Sequence, residues 1–214
     1  MSVGQVPAAR KTAIITPIHN GGLAFDPANY PPISLTSVFS KLMEWVINGQ
    51  ILDYLQRYKL LSGQQHGFSA KRSTVTNLLD CLSDWTLALD NHQSVTVAYI
   101  DYSKAFDIVS RTKLLHKLSR FGICGNLLKW IGEFLHNRTQ SVRFGSSMSS
   151  LQQLISVVVQ GSVLGPLLFL LYVVDVTLFS SGVLCELYAD DLKLYSTVQT
   201  RQDANDYRVA WMLL

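Results

Sequence analysis

Tyr188-Ala189-Asp190-Asp191 is the stretch that decides how this chain is read. It lies between two short alternating segments, Val183–Tyr188 and Leu192–Ser196, so the pattern predicts a β-hairpin with the aspartates at its turn. About ninety residues upstream, the apolar run Val95-Thr96-Val97-Ala98-Tyr99-Ile100 predicts a strand that ends in Asp101. Carboxylates at the ends of neighbouring strands are a way to hold two divalent cations a few Å apart. Such a pair stabilises both the attacking and the leaving oxygen in phosphoryl transfer. Carboxylate oxygens are hard donors, suited to Mg²⁺ or Mn²⁺ rather than Zn²⁺. Taken alone, an Asp-Asp pair in a hairpin is ordinary turn chemistry, because Asp tolerates turn backbone and bonds its own main chain. Other segments decide between the two readings.

Those segments run in order. They are Asn29-Tyr30-Pro31-Pro32-Ile33-Ser34-Leu35, Gln65-His66-Gly67-Phe68, Arg72-Ser73-Thr74, and Tyr99-Ile100-Asp101-Tyr102-Ser103-Lys104-Ala105-Phe106-Asp107. Gln160-Gly161-Ser162-Val163-Leu164-Gly165-Pro166, the Tyr-Ala-Asp-Asp stretch and Lys193-Leu194-Tyr195 follow. From about Lys11 to about Tyr195 the chain resembles the reverse transcriptase domain of non-LTR (LINE-like) retrotransposons of the jockey or CR1 type.

The resemblance implies an α+β fold of the right-hand polymerase type, with an antiparallel palm sheet packed on helices. About residues 1–94 would be mainly fingers and about 95–214 mainly palm, with the thumb missing. It implies RNA-directed DNA polymerase activity: transfer of a nucleotide from a dNTP to a primer 3′-hydroxyl on an RNA template, with two Mg²⁺ or Mn²⁺ ions. Asp101 and Asp190 would bridge the ions and Asp191 would be the third carboxylate. Phe106 would pack against the sugar of the incoming nucleotide and exclude a 2′-hydroxyl. The backbone of Tyr102–Ala105 would approach the triphosphate, and Gln160-Gly161 would contact nucleotide and template. Arg72 would lie near template or triphosphate. Each has an ordinary counterpart: Phe106 as core, Gln160-Gly161 as a loop before a helix, Arg72 as a surface residue beside a helix cap, Asp107 as a local cap.

The chain departs from the family pattern at several basic positions. Pro31 stands where the family usually has Arg, and proline supplies neither charge nor N–H. Asn20-Gly21-Gly22 replaces a Lys-rich stretch, Ser69 replaces an Arg, and Val157-Val158-Val159 replaces Gly-Val-Pro. The carboxylates are present while much of the triphosphate clamp is not. Each lost Arg–phosphate contact typically costs a few kcal/mol. The alternative reading is therefore a catalytically inactive retroelement remnant that at most binds nucleic acid. The last residue, Leu214, also comes soon after the Asp-Asp pair, which suggests a fragment of a retrotransposon polyprotein.

Composition sets the wider limits. With 214 residues the chain is long enough for a real core, and a net charge of +3 with 15% charged residues leaves no polybasic tail. Arg111, Lys113, Lys117 and Arg120 cluster locally, as a solvated helix face or a phosphate-tracking surface. Cys81, Cys124 and Cys185 match no metal spacing and read as reduced, mostly packed thiols of an intracellular protein of the cytoplasm or nucleus. No signal peptide is visible. Val163–Phe179 is very apolar, but Gly165, Pro166 and Asp175 interrupt it, and it falls short of the about 20 residues a membrane span needs. A buried helix, not a membrane anchor, is the expectation.

Elsewhere the pattern predicts a strand at Thr12–Pro17 and a helix after Ser37 carrying Val38, Leu42, Trp45, Val46, Ile51, Leu52 and Leu55, weakened by Gly49. Leu60–Lys71 reads as a loop. Ser73 is a good N-cap for a helix whose stripe of Val75, Leu78, Leu79, Leu82, Trp85 and Leu89 is expected to face the core. Arg111–Ser119 and Asn126–Leu135 read as helices, and Gln140–Phe144 and Gln153–Val159 as strands around a Gly-Ser turn.

Overall fold

The computed structural model describes residues 4–30, 33–102, 105–154, 158–178 and 183–198. Pro31, Pro32, Ser103, Lys104, Ile155, Ser156, Val157 and Phe179 of the stretches above lie outside the described residues. Along the chain come β1 (Thr12–Ile15), β2 (Ser34–Leu35), α1 (Val38–Arg57), α2 (Thr74–Asp90) and β3 (Ser94–Ile100). Then follow α3 (Arg111–Arg120), α4 (Gly125–Phe134), β4 (Thr139–Phe144), β5 (Ser147–Met148), β6 (Gln152–Gln153) and α5 (Gly165–Val173). A 3₁₀ turn at Val174–Leu178 leads on, and β7 (Leu184–Tyr188) and β8 (Asp191–Val198) complete the series. The fold is α+β, and its elements group into two compact units that interleave along the chain.

One unit comprises residues 1–58 and 106–171. Its sheet has the order β2-β1-β4-β5, with β6 also on β4, and every pair is antiparallel except β1 with β4. That parallel pair (Thr12↔Thr139 to Ile15↔Val142) is possible because the long intervening chain can return to the same end of the sheet. Leu114, Leu118, Ile131 and Phe134 on α3 and α4 are fully buried, and Trp130 stacks on Phe134 at 5.4 Å. On α1 the buried side is Ser40, Glu44, Ile47, Ile51 and Leu55, while Val38, Leu42, Trp45 and Val46 are exposed. Ser37 occupies the N-cap position of α1 but makes no side-chain cap bond.

The apolar α5 is buried as expected, but it is shorter than Val163–Phe179 and tightens into 3₁₀ geometry at Val174. Its first amides are satisfied from within this unit. The Glu44 carboxylate, with no exposed surface, accepts from Val163 N (2.8 Å) and Leu164 N (3.2 Å), and Ser162 Oγ accepts from Gly165 N (3.0 Å). The strand expected over Gln153–Val159 is confined, among the described residues, to Gln152–Gln153. Among the described residues no helix is long and apolar enough to cross a membrane.

The other unit comprises residues 59–105 and 172–214. It is built on the antiparallel sheet β3-β8-β7, with Ser94 opposite Val198 and Ile100 opposite Leu192. Val183, Cys185, Leu187, Leu192 and Leu194 form its core, joined by Ala98, Ile100, Tyr102 and Val176. Each fully buried leucine of this kind contributes roughly 1.5–3 kcal/mol. Burial pushes the Cys185 thiol up to about 12, so it stays protonated, as expected of a packed cysteine.

α2 lies against β3 and β7. Ser73 caps it in a capping box: its Oγ accepts from Thr76 N (3.2 Å) and its own N donates to Thr76 Oγ1 (2.9 Å). Of the stripe expected to face the core, Trp85 does, meeting Tyr195 edge-on at 5.8 Å, and the aliphatic members do not. Val75, Leu78, Leu79, Leu82 and Leu89 are half or more exposed, and the buried positions are Asn77, Cys81 and Ala88. The cause is the sheet face that α2 meets, which carries Glu186, Lys193 and Tyr195. Asn77 Nδ2 donates to Glu186 Oε2 (3.4 Å), Lys193 Nζ to Cys81 Sγ (3.3 Å) and Tyr195 OH to Asp84 Oδ2 (2.7 Å). A polar sheet face selects the polar side of the helix, because buried polar groups left unpaired cost more than exposed leucines.

Candidate active site

The 59–105 and 172–214 unit carries all three candidate carboxylates. β7 and β8 are joined by a two-residue turn, Ala189-Asp190, with Tyr188 opposite Asp191. Ala189 takes a positive φ of 58°, a conformation that glycine usually supplies in such turns. Continuing the β3–β8 register one step past Ile100↔Leu192 sets Asp101 opposite Asp191. Both line a cleft of about 320 Å³, with Thr74, Asn77, Leu78, Tyr99, Tyr188 and Lys193 also in its wall. Asp190 sits half-buried in the turn itself.

Partial burial, then Asp190, then Asp101 push the Asp191 carboxyl above the ordinary carboxylate value. That mutual repulsion is what a bound cation relieves, and the all-oxygen donor set suits a hard divalent ion. The chemistry of the residues therefore fits Mg²⁺ or Mn²⁺. The side chains are not gathered into a finished cage: among the described residues no three His, Cys, Asp or Glu side chains converge to hold one ion.

Behind the hairpin lies a polar cluster. His66 Nε2 is 3.1 Å from Glu186 Oε2 and 3.4 Å from Asp80 Oδ2, and Arg72 Nη1 approaches the same nitrogen at 2.8 Å. Its Nδ1 meets Thr76 Oγ1 at 2.9 Å. Burial, then the Asp80 charge, pushes the Glu186 carboxyl up to about 7, while burial and Arg72 hold His66 below its usual value. Arg72 thus sits exposed at the edge of this cluster, tied to His66.

The remaining expected residues divide between the units. Tyr102 packs against the core of the carboxylate-bearing unit, and burial raises its phenol. Phe106, Gln160 and Gly161 belong to the other unit. There Phe106 stacks on Phe169, with ring centroids 4.2 Å apart. Gln160 Nε2 donates to Asp107 Oδ1 (3.4 Å), and its carbonyl accepts from Ser34 N (2.9 Å). Gly161 has φ +88°, and a Cβ there would lie 2.8 Å from Ser34 O, so this loop needs glycine. On α3, Lys113 and Arg120 are exposed and Arg111 contacts the His136 ring. Sequence reasoning missed Glu44 and the side-chain role of Gln65.

Comparison with solved structures defines the class. The chain aligns over 96% of its length with apo telomerase from Candida tropicalis truncated from its C-terminal domain, covering 47% of that chain, with a TM-score of 0.61 and 12% identity. It aligns over 84% of its length with the RNA-dependent RNA polymerase of bacteriophage phi12, covering 30% of that chain, with a TM-score of 0.50 and 10% identity. The fold is that of the template-directed polymerases.

Residues 18–208 match the family model described as reverse transcriptase (RNA-dependent DNA polymerase), and the chain belongs to that family. It is 32% identical over 212 residues to the probable RNA-directed DNA polymerase from transposon X-element of Drosophila melanogaster, covering 94% of this chain. It is 31% identical over 199 residues to the RNA-directed DNA polymerase from mobile element jockey of the same fly, covering 89% of this chain. It is a LINE-like reverse transcriptase domain, and it spans 22% of the length of each of these curated relatives.

Proposed function

We propose that this chain supplies the nucleotidyl-transfer site of an RNA-directed DNA polymerase, extending a DNA primer on an RNA template from dNTPs. The observation that carries the proposal is that Asp101, next after Ile100, and Asp191, next before Leu192, line one cleft at the end of the β3–β8 pairing, with Asp190 in the adjoining turn. Asp101, Asp190 and Asp191 are the groups that would hold two divalent cations. Bound there, the cations would supply charge neutralisation at the attacking and leaving oxygens. The protein's own task is to keep Asp101 and Asp191 in the cleft wall with Asp190 beside them in the turn. Partial desolvation, then the charges of Asp190 and Asp101, raise the Asp191 carboxyl. Phe106, with its ring fixed on Phe169, is assigned the discrimination against a 2′-hydroxyl. Gln160 and Gly161, tied to Ser34, are assigned nucleotide and template contact, and the Tyr102 backbone is assigned to the triphosphate. Arg72 is assigned to nucleic acid.

Departures from the family favour a second reading, a domain that keeps the fold and has lost catalysis. Ser69, at a position where an Arg is expected, spends its hydroxyl on Gly67 O (3.2 Å) and offers no charge to a triphosphate.

Primer extension on poly(rA)·oligo(dT), with Mg²⁺ and with Mn²⁺, separates the two. Extension by the wild type and not by Asp190→Asn is expected. No extension by a folded wild type rejects the first reading in favour of the second.

A further inference from the structure

The first three residues of Gln65-His66-Gly67-Phe68 are buried beside the carboxylate hairpin. This segment extends the sheet past β7. His66 N donates to Leu187 O (2.8 Å), and Leu187 N donates to Gln64 O (2.9 Å). Gln65, 7% exposed, turns its side chain onto the turn. Its Oε1 accepts from Ala189 N (2.9 Å) and Gly67 N (2.8 Å), and its Nε2 donates to Ala189 O (3.2 Å).

Both main-chain polar groups of Ala189 are therefore satisfied by one side chain. Ala189 is the residue held at φ 58°, and it stands immediately before Asp190 and Asp191. A primary amide suits the task because the turn presents one donor and one acceptor. A carboxylate would set like charge against Ala189 O, and an apolar side chain would leave both groups unpaired. Gly67 allows the approach: a Cβ there would lie 2.1 Å from Ala189 N.

We infer that Gln65 is a positioning residue for the metal-binding carboxylates, a clasp that fixes the direction in which Asp190 and Asp191 leave the turn. The inference rests on the proposed metal role of those aspartates. Groups that orient ligands without touching the metal typically govern affinity or activity by about 10–100-fold.

The test is Mn²⁺ titration of the full chain followed by EPR of the free ion, with folding checked by circular dichroism. The wild type is compared with Asp190→Asn, Gln65→Ala, Gln65→Glu and the double variant Gln65→Ala/Ala189→Gly. Asp190→Asn should lose the site. Gln65→Ala should weaken it about tenfold or more. Gln65→Glu, which keeps the acceptor and loses the donor, should fall between. Glycine adopts a positive φ without a clasp, so the double variant should recover part of the loss.

Wild-type affinity in folded Gln65→Ala, or in Gln65→Glu should the alanine variant not fold, overturns the clasp. If wild-type Mn²⁺ binding is indifferent to Asp190, the metal reading falls instead. The clasp is then decided by hydrogen exchange at the Ala189 amide, where unchanged protection in the Gln65 variants overturns it and sharply faster exchange supports it.

Discussion

Replacing Glu44 with alanine should destabilise the 1–58 and 106–171 unit far more than a typical helix substitution. The carboxylate is fully buried and accepts the Val163 and Leu164 amides at the start of α5. Hydrogen bonds to a charged group are worth about 1.5–3 kcal/mol each, and both here converge on Oε2, so they do not add in full. Alanine also leaves the Leu164 N–H buried without a partner and removes a negative charge from a helix N-terminus. Glu44 further supports the charge of Arg138, which is 2% exposed and whose guanidinium burial pulls down. Together these give a loss of about 3–5 kcal/mol, against a usual domain stability of about 5–15 kcal/mol. Glu44→Gln keeps an acceptor and should lose about 1–2 kcal/mol. Urea unfolding followed by tryptophan fluorescence, with Trp130 buried in this unit, reads the difference. A loss below about 1 kcal/mol for Glu44→Ala, or equal losses for the two variants, would refute the capping argument.

Glu186 makes the carboxylate-bearing unit pH-sensitive. Its ordinary value is 4.5 and its folded value about 7, so between these the native state holds a proton that the unfolded chain has released. Stability attributable to Glu186 should therefore fall, by about 3 kcal/mol, as pH rises from about 4.5 to 7. His66, held below 6.5, works with the opposite sign. The informative comparison is Glu186→Gln, which should remove the decline in urea midpoint, and an unchanged decline would exclude Glu186 as its source. Gly67→Ala should displace the Asp-Asp turn by on the order of 1 Å and slow primer extension about 100-fold, because its Cβ would overlap Ala189 N. Gly63→Ala, whose Cβ would meet only Arg72 Nη2 at 4.0 Å, is the matched control, and equal rates in the two variants would discount the close approach.

Much of the fold was legible wherever the signal was local. Ser73 with Thr76 marks a helix start within four residues, and β7 alternates buried with less buried positions as its sequence pattern predicts. Ordered motifs singled out Asp101, Asp190 and Asp191, of which Asp101 and Asp191 line one cleft and Asp190 lies in the adjoining turn. The orientation of α2 was not legible, because its leucines form an amphipathic stripe in isolation. Only the pairing of Glu186, Lys193 and Tyr195 onto one sheet face turns the helix over. Glu44 reads as a solvated helix residue until α5, some 120 residues later, presents its amides. Gln65 and Ala189 meet across a separation of 124 residues, which no periodicity encodes. Their role is visible only when the backbone of both is in view.

The β3–β8 pairing also has a consequence in time. Ile100 waits for Leu192, 92 residues downstream, and Ser94 waits for Val198. At translation speeds of about 5–20 residues per second, β3 is complete roughly 5–20 s before its partner is made. Throughout that interval one edge-competent strand and the polar face of α2 stand without the groups that later satisfy them. The residues of the other unit are all made before β8: 1–58 precede β3 and 106–171 are synthesised within this interval. The nascent chain is therefore most vulnerable to mispairing while its central segment is being synthesised. Its yield in a cell should respond more to holdase capacity and elongation rate than to changes in the finished core.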